Sequence, residues 1–145
     1  MKLKFDYKID VLIQKPITLV TDLYINRQTM SLWEKGLDHI EDVSGYLFET
    51  DSIGYLVFKF GEQEMKMKVS VVSNALPHQI TQIYEVEGAW NQCINRFDEI
   101  DGQTKWTMDV IFILESEKDI PKERFIAKTT EAMHIFKNFV EHYEA

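Results

Sequence analysis

A chain of 145 residues, 45% apolar and 28% charged, has the size and composition of one folded domain, which excludes a disordered segment. Its formal net charge of -8, from 16 basic and 24 acidic side chains, sets the surface against phosphate backbones and anionic headgroups, so nucleic acid is not an expected partner. The single cysteine, Cys93, excludes an internal disulfide or a cage of several cysteines and is in keeping with a cytoplasmic compartment.

The chain opens on a strand. From Leu3 to Ile13 the odd positions are Leu3, Phe5, Tyr7, Ile9, Val11 and Ile13, and the even ones are mostly Lys or Asp. Such alternation marks a sheet with one buried face, and it contains no apolar core of the kind a signal peptide needs. Pro16 breaks the pattern. Ile17, Val20, Leu23 and Tyr24 then recur at helical spacing, followed by Met30, Leu32 and Trp33, which predicts two short helices with Pro16 in the first turn of the first.

Beyond Gly36 the pattern is that of an antiparallel meander, with strands expected over 38–48, 53–60, 64–74, 79–87, 90–100 and 103–115. Asp51-Ser52, Gly61-Glu62, Leu76-Pro77, Gly88 and Asp101-Gly102 supply the turns. Alternation then assigns faces. Leu56, Phe58 and Phe60 are expected inward, as are Met65, Met67, Val69 and Val71, and after them Cys93, Asn95 and Phe97. In the last strand Trp106, Met108, Val110, Phe112 and Leu114 face in, opposite Lys105, Thr107 and Asp109. Outward apolar side chains are Tyr55, Val57, Ile111 and Ile113, which lie under the short helices, form a homodimer contact, or make a docking patch. The longest apolar run, Val110 to Leu114, is far short of the ~20 residues of a membrane helix.

Pro121 opens the one long helix, with Asp119 placed to cap it and an end near Tyr143. At 100° per residue, Phe125, Thr129, Met133, Phe136, Val140 and Tyr143 share one arc with Ala132 and Phe139, and His134, Lys137, Asn138 and Glu141 fall outside it. The whole chain, 1–145, reads as a single α+β domain: a curved antiparallel sheet of about seven strands under a long terminal helix.

This element order, together with Pro16-Ile17, Trp33, Gly45, Gly54, Asn95-Arg96-Phe97 and Thr104-Lys105-Trp106, closed by Phe125, Met133, Phe136 and Phe139, resembles the SRPBCC superfamily. That superfamily includes the birch-pollen-allergen, START lipid-transfer and polyketide cyclase/dehydrase families. The resemblance implies the helix-grip fold and a cavity between sheet and terminal helix for a lipid, an aromatic or a polyketide-like molecule. Phe58, Met67, Phe97, Trp106 and Met108 on the sheet, Met133 and Phe136 on the helix, and Trp33 at the entrance are the expected apolar walls. Tyr84 and Asn95, with Asn91 and Gln82 beside them, are the polar groups that would orient a ligand, and each equally finds its partner within the protein.

No catalytic motif is present. Among acid-base candidates, Glu85 and Asp109 fall on the solvent face, Glu41 follows close behind His39, and only His39 is placed to reach a cavity mouth. No metal or cofactor is expected, since His134 and His142, the nearest pair, stand eight apart, and Cys93 reads as a small core residue. The leading expectation is binding or carriage of a small hydrophobic molecule. A cyclase- or dehydratase-type enzyme is the alternative, in which at least two of His39, Tyr84, Asn91 and Asn95 would converge on one point of the cavity. A protein-interaction module like the activator domains of the heat-shock chaperone machinery comes third, with a filled interior.

Overall fold

Strand β1 (Leu3–Ile13) is followed by helix α1 (Ile17–Tyr24), a 3-10 turn (Met30–Leu32), strands β2 (Leu37–Ser44), β3 (Ile53–Phe60), β4 (Gln63–Ala75), β5 (Gln79–Val86), β6 (Ala89–Ile100) and β7 (Gln103–Leu114), and helix α2 (Lys122–Glu141). The structure, a computed structural model, describes residues 3–115 and 120–144. The seven strands form one curved antiparallel sheet in the order β1-β7-β6-β5-β4-β3-β2. Hairpins join neighbours from β2 onward, and β1 returns to pair with β7 from Leu3↔Leu114 to Ile13↔Thr104.

The predicted alternation is the observed burial. Val69, Val71, Ile80, Phe97, Trp106 and Ile13 all turn inward and are buried, and α2 lays Met133, Phe136 and Val140 over them at helical spacing. Two of the expected inward positions, Phe60 and Met65, are exposed instead. They are neighbours across the β3–β4 hairpin, beyond the reach of the helix. At the Asp101-Gly102 hairpin both residues take positive φ, 51° and 80°, the geometry that matches the twist of the strands it joins. Gly54 is a different case: a Cβ there would stand 2.5 Å from the carbonyl oxygen of Glu41, so strands β2 and β3 meet only because the side chain is missing.

Three expectations are corrected. The second short helix is a single 3-10 turn, Met30–Leu32. The strand expected to reach residue 48 ends at Ser44, because Gly45 turns with φ 71° and the Asp42 carboxylate accepts the Leu47 N–H at 2.8 Å. Leu47 and Phe48 then drop into the core as loop residues, while Arg27 grips the same carboxylate with two hydrogen bonds. Finally, of the alternatives for the outward apolar residues, cover by the short helices falls away: among the described residues no helix lies over them, since α1 packs Val20, Leu23 and Tyr24 into the inner core. Val57 is buried on the outer face between its strand partners His39 and Lys66. Pro121 holds the cap position of α2 with no side-chain cap bond, and Asp119 lies outside the described residues.

Candidate functional site

Helix and sheet do not meet along their whole length. At one end they close. Phe136 is fully buried, with its ring 4.6 Å from Trp33, 5.3 Å from Trp106 and 5.5 Å from Tyr24, all at steep angles. At the other end Phe125 tilts against Phe5 and Phe112, and the Tyr7 hydroxyl meets Thr129 Oγ1 at 2.6 Å. Between these two closures the curvature of the sheet leaves a cavity of about 290 Å³, partly open to solvent.

Its walls are mostly apolar. Met67 and Met108 come from the sheet, Met133 from α2, Met30 from the 3-10 turn, and Trp33 and Trp106 supply broad ring faces. Six of the ten expected ligand contacts lie on this wall: Trp33, Met67, Tyr84, Trp106, Met108 and Met133. Phe58, Asn95, Phe97 and Phe136 do not. All four are buried on the predicted face but lie in the closed parts of the core, where Phe97 stacks on Trp106 and Phe58 on Phe60.

Asn95 is used internally. Its Oδ1 accepts the Trp106 indole N–H at 2.9 Å, and its Nδ2 donates to Gln82 Oε1 at 3.2 Å. Tyr24 donates its hydroxyl to the same Gln82 oxygen at 3.2 Å, and the Tyr84 hydroxyl lies against that of Tyr24. This chain of buried polar groups is satisfied within the protein and fixes the floor of the cavity. Burial drives the Tyr24 and Tyr84 hydroxyls well above their ordinary pKa and pushes the Cys93 thiol, also on the wall, up to about 12. None of the three ionises near neutrality.

The acid-base candidates lie elsewhere. A bulge between Leu37 and His39 turns His39 to the outer face, where its ring nitrogens pair with Asp38 at 2.7 Å and Glu41 at 2.9 Å. Those carboxylates raise the His39 pKa. Glu85 pairs with Lys68, and Asp109 with Arg96, both on the outer face as expected.

One carboxyl does line the cavity, in a stretch of sequence without periodicity. Glu34 follows Trp33 at the end of the 3-10 turn, held by its N–H to the Met30 carbonyl at 2.8 Å. Burial pushes its pKa up to about 7, because among the described residues it has no hydrogen-bond or ion-pair partner for its carboxylate. Two further polar atoms on this wall, Trp33 Nε1 and Asn91 Oδ1, are buried and find no partner in the protein. Lys128 stands at the rim with its side chain exposed, and Ala132, one turn on, is exposed beside it.

No protein-family model matches the sequence, and no curated protein matches it. Among solved structures the chain superposes on Ara h 8.0201 with a TM-score of 0.79 at 10% identity, over 95% of this chain and 98% of that one. The protein Mll3558 from Rhizobium loti gives the same TM-score, 0.79, at 10% identity over 95% of this chain and 98% of its own. BexL, a di-domain ARO/CYC protein of the BE-7585A biosynthetic pathway, superposes with a TM-score of 0.72 at 13% identity, over 99% of this chain and 51% of BexL. Likeness at these identities is likeness of fold.

Proposed function

We propose that this chain, which has the helix-grip fold shared by the SRPBCC superfamily, binds a small hydrophobic molecule between its sheet and helix α2. The observation that supports this reading is the cavity of about 290 Å³, walled by methionines and indoles over a polar floor whose hydrogen bonds are already made. Such walls offer an apolar ligand many contacts, and the few unpartnered polar groups on them are points at which a ligand can be oriented. A cavity of roughly 150 Å³ is enough for benzene. Twice that volume suits a bicyclic aromatic or a compact polyketide-like ring system better than a long acyl chain.

Cyclase or dehydratase chemistry asks for proton-handling groups converging on one point. Of the four side chains expected to do so, Tyr84 and Asn91 line the cavity, Asn95 is spent on Trp106 and Gln82, and His39 faces away. Glu34 is the one carboxyl on the wall, and burial keeps the Tyr24, Tyr84 and Cys93 protons in place, so binding is the better supported reading. An interaction module with a filled interior fits less well, because the interior is hollow.

Ala132→Trp tests the binding reading. Ala132 is exposed at the cavity wall, so an indole there has solvent-side room to fold and enough bulk to plug the mouth. Titrated by calorimetry with naphthylethanol, the parent protein is expected to bind, and the variant to lose about tenfold or more in affinity while unfolding within a few degrees of the parent. Equal binding by the variant would place the ligand somewhere else on the protein.

A further inference from the structure

The unmatched polar atoms on the cavity wall are chiefly acceptors. The Glu34 carboxylate has no hydrogen-bond or ion-pair partner among the described residues, and beside it on the same wall stand two buried atoms without a partner, the acceptor Asn91 Oδ1 and the donor Trp33 Nε1. No cation of the protein answers the carboxylate: among the described residues it makes no ion pair, although Lys128 borders the same cavity and Lys35 the adjoining surface depression. Lys35 is committed to Glu131 at 3.4 Å. The rings of Tyr24, Trp33, Tyr84 and Trp106 line the same cavity as Glu34, and electron-rich faces in one site with a carboxylate are the setting that holds an ammonium group.

We propose that Glu34 anchors a protonated amine, so that the molecule taken by this cavity is a small hydrophobic amine with its ring body against Met67, Met108 and Trp106 and its nitrogen toward Glu34. This inference rests on the binding reading above and adds the chemical class of the ligand. The ammonium donates to the Glu34 carboxylate, with Asn91 Oδ1 as a second acceptor on the same wall. A neutral ligand of the same shape leaves the half-buried carboxylate without a countercharge.

Burial raises the Glu34 pKa, and a cation bound beside the carboxylate would lower it again, so amine binding is coupled to loss of the Glu34 proton. The other titratable groups around it do not change state between pH 5.5 and 8. Tyr24, Tyr84 and Cys93 stay neutral because burial raises all three.

Naphthylethylamine and naphthylethanol, matched in size and differing in the charged head, separate the possibilities by calorimetry. At pH 8 the amine is expected to bind about tenfold or more tightly than the alcohol, as a charge-assisted hydrogen bond in a partly dry site provides. At pH 5.5, with Glu34 protonated, that preference should shrink severalfold. In Glu34→Gln the two ligands should bind within about threefold of each other at both pH values. A parent protein that binds the alcohol as tightly as the amine overturns the amine proposal and leaves the binding reading standing. A parent protein that binds neither overturns both.

Discussion

Phe136→Ala is expected to destabilise the fold by about 3–5 kcal/mol, with a fall in Tm on the order of 10 °C. The ring is fully buried and meets Tyr24, Trp33 and Trp106 edge to face, so it ties α2, α1, the segment after the 3-10 turn and the sheet together at one point. Its neighbours are large rings held by their own contacts, and Trp106 is pinned to Asn95 by its indole N–H, so they have little freedom to close the hole. The void would merge with the existing cavity. Urea unfolding monitored by circular dichroism measures the effect, and a loss under about 1 kcal/mol would mean that helix and sheet are not closed at this residue.

Glu34→Gln should do the reverse, and only at high pH. The folded chain holds the Glu34 proton up to about 7, and the unfolded chain releases it near 4.5. Between those values the folded state binds more protons, so stability falls as pH rises from about 4.5 to 7 and the loss is complete above that. The difference corresponds to at most roughly 3 kcal/mol, less to the extent that solvent in the open cavity screens the charge. Gln keeps the shape without the charge. At pH 5 parent and variant are therefore expected to unfold together, and at pH 8 the variant should unfold several degrees higher. Thermal unfolding at the two pH values gives the comparison. Identical behaviour at both would mean that the carboxyl is solvated, and the site would lose its one acid-base group.

The two findings differ in how far the sequence anticipated them. Phe136 lies on the apolar arc of a helix whose period is plain, and Trp106 on a strand whose polar–apolar alternation runs from Lys105 to Val110, so their burial follows from parity alone. Parity assigns a face. It does not say where along that face two curved surfaces touch, so Phe58, Phe97, Asn95 and Phe136 share the inner face with Met67 and Met108 although only the last two reach the cavity. His39 shows a second limit: one bulged residue between Leu37 and His39 reverses which face the following residues present, and nothing in the run Leu-Asp-His-Ile announces it. Glu34 shows a third. It stands between Trp33 and Lys35 in a stretch without periodicity, where a glutamate reads as surface, and only the return of the chain across the cavity mouth makes it an inner residue.

Methionine methyl NMR addresses the cavity itself. Of the six methionines, Met30, Met67, Met108 and Met133 line it and Met65 lies on the exposed β3–β4 hairpin. Titration of methyl-labelled protein with naphthylethylamine at pH 8 is expected to shift the four cavity methyls together, with one binding isotherm, and to leave Met65 unmoved. If Met65 moves while the other four stay in place, the molecule binds outside, and the space between sheet and helix is a packing feature with no ligand of its own.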